Sequence, residues 1–253
     1  MAASCRAARA SEASQVVKFS RDQLQRLRHR HRGYRISLCS EVLLLLLLPL
    51  AHQMPWLLSA LLIALAVQLM VFVSRFSSLK TGRPLILGLG CLAVLLEFLW
   101  HGGLRFAPAL GQQLTVLHVV VWTLFLLLAV VRIVKSLIRE PYVTVAVVLG
   151  AASGYLLVGI AGGVLLTALW VMHPTAFVPS ALPQFAVTLA SPLPVAPALM
   201  AAAFGLLTTV GTGVLSPSDV SGQVVSSVIT IAGQLYVAIL IALILGRFHH
   251  RSY

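Results

Sequence analysis

The chain is short of charge. Only 9% of its 253 residues are Asp, Glu, Lys or Arg, where a soluble domain carries about 25%. Apolar residues make up 59%. A globule of that balance has too little polar surface to meet water on all sides, which excludes a soluble enzyme and a disordered regulator. Acid is scarcer still, with six Asp and Glu against 18 Lys and Arg. Cysteine is limited to Cys5, Cys39 and Cys91. An odd number without metal or redox spacing excludes a secreted disulfide scaffold and reads as free thiols. No His/Glu pair has ligand spacing and no nucleophile stands beside a base, so the sequence points to no enzyme and no resident cofactor.

What is present is apolar length. A membrane-spanning helix needs about 20 mainly apolar residues. Six stretches qualify, at about 37–52, 55–74, 84–101, 113–131, 142–172 and 222–246. None alternates with the period of a barrel strand, so an all-α integral membrane protein with six transmembrane helices is expected. The basic residues set its orientation. With the N-terminus inside, the cytoplasmic side holds nine basic residues within 1–35, then Arg75, Lys80, Arg83, Arg132, Lys135, Arg139, Arg247 and Arg251, while Arg105 alone lies outside. Both termini are therefore expected in the cytoplasm, and the expected site is a plasma membrane. Basic balance can mark a nucleic-acid binder. Here the basic residues lie between apolar runs, so the expected partner is the anionic cytoplasmic leaflet of a lipid bilayer and no nucleic acid. Val17, Leu24 and Leu27 place one apolar stripe on the basic N-terminal segment, 1–35, which is either a helix on that leaflet or a solvated tail.

Residues 173–221 break the pattern. Pro174, Pro179, Pro183, Pro192, Pro194 and Pro197 exclude a continuous helix in the first half. Ala198 to Leu207 is apolar but too short to span, which suits a re-entrant half-helix. Thr208-Thr209-Val210-Gly211-Thr212-Gly213 follows. Non-helical backbone at membrane depth survives only where protein buries it or where it lines a water-filled path. Glycines at alternate positions open backbone conformations closed to other residues, so successive carbonyls can turn toward one axis and replace the water around a cation.

Here the chain resembles the potassium channel family, whose filter reads T-T-V-G-Y-G. Pro217, Gly222 and Gly233 stand four, nine and 20 residues after Gly213, offsets similar to those of the family. The resemblance covers about residues 142–247. It implies a pore domain over 141–247 with a re-entrant pore helix and filter loop between helices five and six. A four-helix accessory region over 36–140 precedes it, and a short tail, 248–253, follows, with no cytoplasmic ligand-binding domain after the pore. It implies K+ as the permeant ion, carbonyls from Thr209, Val210, Gly211 and Thr212, an exit bend at Gly213 and a gating hinge at Gly233. Four copies would surround the axis as a homotetramer, and a regulatory subunit would carry any control by ligand. Thr212 replaces the family's aromatic and Val214 its usual Asp, which implies weaker discrimination of K+ from Na+. Two alternatives stay open: a non-conducting or regulatory channel-like subunit, and a transporter subunit, although only one half of the chain is interrupted.

The remaining polar residues divide by context. Arg132, Lys135 and Arg139 follow span four, but a voltage sensor carries arginines inside its span and 113–131 has none. They read as cytoplasmic anchors, with Glu140 as a neutralising partner. Glu41 is expected to reach Arg35 or headgroups, and Glu97 to pair with Arg105 or stay protonated. His118 reads as a polar helix contact. Gly150 and Gly154 form a small-xxx-small pair that permits close helix packing. Asp219 reads as a cap for span six, beside Ser218 and Ser221.

Overall fold

The computed structural model describes residues 21–76, 82–139, 144–179, 195–211 and 215–249. The described chain is helical apart from one short ribbon. Helix α1 is Arg21–Gln53, α2 Pro55–Val71, α3 Arg83–Phe106, α4 Pro108–Ile138 and α5 Val145–Met172. A 3-10 turn, Pro174–Ala176, leads to β1, Phe177–Pro179; then come α6, Ala196–Leu207, β2, Leu215–Pro217, and α7, Val220–His249. Six helices are long and apolar enough to cross a membrane, and they coincide with the six stretches expected. The chain is thus built as a multi-pass membrane protein. The reason is that lipid offers backbone N–H and C=O groups no partner, so each segment must satisfy its own.

Two boundaries differ from expectation. The division at residue 35 falls inside α1, which is continuous from Arg21. Arg, Gln and Leu are good helix formers, and nothing between 21 and 35 breaks the helix. Leu24 and Leu27 therefore lie on α1, while Val17 lies outside the described residues. Helix α6 begins at Ala196, two residues earlier than expected, with Pro197 in its first turn, where the missing N–H has no helical partner to lose.

Tight turns pair the helices. Between α3 and α4 only Ala107 intervenes, and Pro108 opens α4 with its φ already set. Gly103 and Gly111 face each other there, and a Cβ on Gly103 would come within 3.1 Å of Gly111 Cα. After α2 the chain continues as a π-helical turn, Phe72–Phe76. Its carbonyls are held by Arg83, which donates from Nε to Val73 O at 3.1 Å and from Nη2 to Ser74 O. Arg132 is buried, with its guanidinium against Gly82 at the start of α3. Of the three expected anchors, only Lys135 and Arg139 are exposed. Glu140 lies outside the described residues.

Helix α5 is the centre, packed by α1, α4, α6 and α7. It is apolar all round, so no single face directs its neighbours. Its glycines do that. A Cβ at Gly150 would meet the Tyr34 ring of α1 at 2.6 Å. One at Gly154 would strike the Tyr236 hydroxyl of α7, one at Gly159 the Phe204 ring of α6, and one at Gly163 the Met200 sulfur of α6. The expected Gly150/Gly154 contact is therefore real, and it is half of a longer row of sockets. Two tyrosines also anchor by hydrogen bonds: Tyr34 Oη and Ser136 Oγ lie 2.7 Å apart, and Tyr236 Oη donates to Ala151 O at 2.8 Å.

The Gly154 socket yields a test. Overpacking a close contact typically costs about 1–3 kcal/mol. Gly154→Ala should lower the thermal stability of the purified protein by an amount of that order. The double variant Gly154→Ala with Tyr236→Phe should be less destabilised than the sum of the two single changes, because the hydroxyl that the methyl strikes is gone.

Candidate functional site

Helix α6 has 12 residues, about 18 Å of rise, too little to cross a bilayer. The ribbon fixes the level of the segments around it. Strands β1 and β2 pair antiparallel, Phe177 opposite Pro217, at the end of the bundle where α5 stops and α7 starts. Ser218 N–H donates to Ala176 O at 2.9 Å, and Ser218 Oγ to Thr175 O. Gly222 makes this closeness feasible, since a Cβ would lie 2.5 Å from Ala176 O. The C-terminal end of α6 lies far from the ribbon. Leu207 O accepts from Tyr155 Oη at 3.1 Å and sits against Gly233, where a Cβ would be 2.6 Å away. Tyr155 and Gly233 stand near the middles of α5 and α7, so α6 ends level with the middle of those two helices. Helix α7 runs unbroken through Gly233, and the glycine's visible role is this close approach.

The expected filter residues follow at once. Thr208 has φ −86° and ψ 1°. Thr209 then lies at φ +61° and Gly211 at φ +86°. A β-branched residue in the left-handed region is a genuine outlier, costing about 1–2 kcal/mol. The N–H groups turn back onto α6: Thr208 to Phe204 O at 3.0 Å, Thr209 to Leu206 O at 3.1 Å and Gly211 to Gly205 O at 3.1 Å. The carbonyls of Thr209 and Val210 accept no hydrogen bond among the described residues. Over 208–211 the arrangement is a turn at a helix C-terminus. Its physical reason is that left-handed Thr209 ends the helix and lets the freed α6 carbonyls be satisfied locally. Thr212, Gly213 and Val214 lie outside the described residues, as do Pro183, Pro192 and Pro194.

Helix α7 divides into three faces. Gly222, Ile229, Gly233 and Tyr236 are buried against the chain. About a third of a turn away, Gln223, Ser227, Thr230 and Gln234 form a polar stripe, with Gln223, Ser227 and Gln234 exposed. Val224, Val228, Ile231 and Leu235 make an exposed apolar face. Asp219 caps the helix, as expected: its Oδ1 accepts from Gly222 N–H at 2.8 Å and Ser221 Oγ at 2.7 Å. Those donors, the Gly222 N–H first, hold its carboxyl below the usual aspartate range.

Two buried carboxylates depart from expectation. Glu41 does not reach headgroups. It is fully buried, and its Oε1 accepts from Ser37 Oγ at 3.0 Å and from Ser153 Oγ of α5 at 2.8 Å. Position 41 faces α5, so α1 carries its acid into the bundle. Glu97 meets His118 of α4, with Oε2 to Nε2 at 2.7 Å. His101 lies 3.8 Å from the same carboxylate. The Arg105 side chain lies outside the description. The sequence reading missed the Glu97–His118 contact, and missed Tyr155 and Tyr236. A signal existed for the first: a hairpin closing at Ala107–Pro108 places residues 97 and 118 opposite each other, and likewise Trp100 and Thr115.

No family model, curated protein or solved structure matches this chain.

The Asp219 cap has a pH signature. A carboxyl held below its ordinary pKa stabilises the fold above that ordinary value, near about 4, and loses the contribution as pH falls through the lowered one. Asp219→Ala should speed amide exchange in the first turn of α7 at neutral pH. The difference from wild type should shrink as the solution is made more acidic than about pH 4.

Proposed function

We propose that this protein is a passive cation channel, most readily conducting K+, formed by four copies around an axis lined by the Thr208–Gly213 segment and by α7. The observation that carries the reading is the backbone at Thr209. A β-branched residue held at φ +61° is costly, and such outliers concentrate where function needs the geometry. A trans peptide sets each carbonyl opposite the next N–H, so the Gly211 N–H bonded back to Gly205 O turns the Val210 carbonyl away from α6, where several chains could offer it to a dehydrated cation. The α6 C-terminus adds its partial negative charge at the same level.

The exposed faces of α7 support the oligomer. A polar stripe of Gln223, Ser227, Thr230 and Gln234 is expensive against lipid and suited to a water-filled path. The apolar face beside it has no partner among the described residues of one chain. In this reading α6 is re-entrant, Thr212 and Gly213 complete the filter, and Gly233 is both the seat of α6 and the point where α7 bends. Weaker K+/Na+ discrimination is retained as a consequence of Thr212 and Val214. The termini are assigned to the cytoplasm and the membrane to a plasma membrane on the distribution of basic residues.

The purified protein in liposomes should carry K+ down a gradient, with Na+ carried less well but measurably. Gly211→Asp should abolish both, since it puts a side chain at φ +86° beside the ion path. Absence of flux from folded tetramers would favour the non-conducting subunit. Thr209→Gly offers a separate check. Relief of the left-handed strain should stabilise the protein by about 1 kcal/mol, while flux falls or K+/Na+ preference is lost. A stabilised variant with unaltered flux would reduce Thr209 to a helix terminator.

A further inference from the structure

The chain holds a cavity that the proposed pore does not use. It lies between the α3–α4 hairpin, α2, α5 and α6, and measures about 40 Å³. At about 10–15 Å³ for each occupant the size of a water, it holds about three non-hydrogen atoms. It is not sealed, so a ligand has a way in. Most of its wall is apolar, with Leu58 and Leu62 from α2, Val164 and Ala168 from α5, and Met200 from α6. The polar part is small and comes from Ser59, Glu97, Trp100, Thr115, His118 and Thr167. An apolar pocket with a few converging polar groups is the common form of a small-molecule site.

The hydrogen bonds decide what the polar part can recognise. Thr167 Oγ1 donates to Gly163 O at 2.8 Å, and Thr115 Oγ1 to Gly111 O at 2.9 Å. A hydroxyl has one proton, so each threonine has only lone pairs left to offer. Trp100 Nε1 has spent its proton too, on Thr115 Oγ1 at 2.9 Å. Glu97 is 2% exposed, and an ionised carboxylate accepts and does not donate. Its Oε2 lies 2.7 Å from His118 Nε2. In the neutral ring that contact takes the single N–H and leaves the other nitrogen an acceptor. The stack on Trp100, with centroids 4.7 Å apart and planes 5° from parallel, holds the ring in place. Ser59, with Oγ 3.3 Å from His101 Nε2, is the wall group that can still both give and take. The wall therefore offers acceptors and one acid, with no Lys or Arg among the described residues.

We propose that this cavity binds a small primary ammonium, with its N–H groups toward Glu97, Thr115 and Thr167 and a short aliphatic body against Leu58, Leu62 and Val164. An ammonium has three donors and no acceptor, the complement of this wall. Its charge also offsets a carboxylate carried on a membrane-spanning helix, where a lone charge is costly. Water would meet the acceptors but leave the acid uncompensated. A bare alkali cation would leave the apolar wall without contacts. A neutral alcohol brings one donor to several acceptors. The cavity touches the α3–α4 hairpin on one side and α6 on the other, so an occupant links the hairpin to the short helix. The assignment does not depend on whether the chain conducts ions, and neither does its test.

Ethylammonium has the right size and, like a lysine side chain, keeps its charge at neutral pH. Ethanol is its neutral counterpart. Saturation-transfer NMR would follow each on the purified full-length protein, in nanodiscs of deuterated phosphatidylcholine, beside empty nanodiscs. Ethylammonium should show transfer that saturates in the millimolar range, as expected for so few atoms, and ethanol should bind at least about tenfold more weakly. Glu97→Gln keeps the shape but removes the charge, and should bring ethylammonium down to the level of ethanol. Thr167→Val removes an acceptor at constant shape and should weaken ethylammonium about threefold. Ala168→Leu fills the cavity from α5 and should abolish the transfer. The proposal is overturned if wild type shows no transfer beyond empty nanodiscs or if ethanol binds as well as ethylammonium. It is equally overturned if binding is undiminished in Glu97→Gln, Thr167→Val or Ala168→Leu. Should Glu97→Gln or Ala168→Leu not fold, the ethanol comparison on wild type and the isosteric Thr167→Val variant still decide the matter.

Discussion

A helix that is apolar on every face can be held in place only by shape. Helix α5 comes close to that position, since its hydrogen bonds to neighbouring helices are few, at Ser153, Tyr155 and the Ala151 carbonyl. The glycines at 150, 154, 159 and 163 supply the shape. Each opens a socket that one particular side chain fills: Tyr34, Tyr236, Phe204 and Met200 in turn. Because lipid tails are as apolar as the side chains, close van der Waals packing of this kind supplies the specificity that hydrophobicity supplies in water. The positions of α1, α6 and α7 all follow from it.

The level at which α6 ends is the second consequence. Phe204 and Met200 seat the short helix on α5, and Tyr155 and Gly233 receive its last carbonyl. The chain then leaves a helix terminus beside the middles of α5 and α7, where the freed groups need partners. It does so by a left-handed Thr209 and by N–H groups folded back on α6. The same geometry turns the Val210 carbonyl, opposite the bonded Gly211 N–H across one trans peptide, away from α6. The turn that caps α6 is therefore also the segment on which the proposed function rests.

Polar groups in the membrane follow a common rule here. Glu41 is surrounded by serines from its own helix and α5, Glu97 by histidines and a stacked indole, and Asp219 sits at a helix end with backbone donors in reach. Each of these three carboxyls has one oxygen within reach of a hydroxyl, a backbone N–H or an imidazole nitrogen. The polar stripe of α7 is the exception, since it is exposed on the single chain, and that is why it bears on assembly.

By itself the sequence determined the six spans, their approximate limits and the interruption after the fifth, because in lipid the length of an apolar run and the placement of proline leave almost no other choice. It also marked Asp219 as a cap and Gly150/Gly154 as a close approach, since both signals are local. Side-chain partners were another matter. Glu97 looked toward Arg105 on its own helix, and only the hairpin at Ala107–Pro108 brought His118 across to it. Glu41 looked toward headgroups, and only the rotation of α1 against α5 buried it with Ser153. The left-handed Thr209 was invisible in a string whose glycines drew the attention. Periodicity and length are properties of one segment, and lipid reads them directly. A partner on another helix depends on how segments rotate and slide against one another, and in this chain the glycine sockets of α5 decide that.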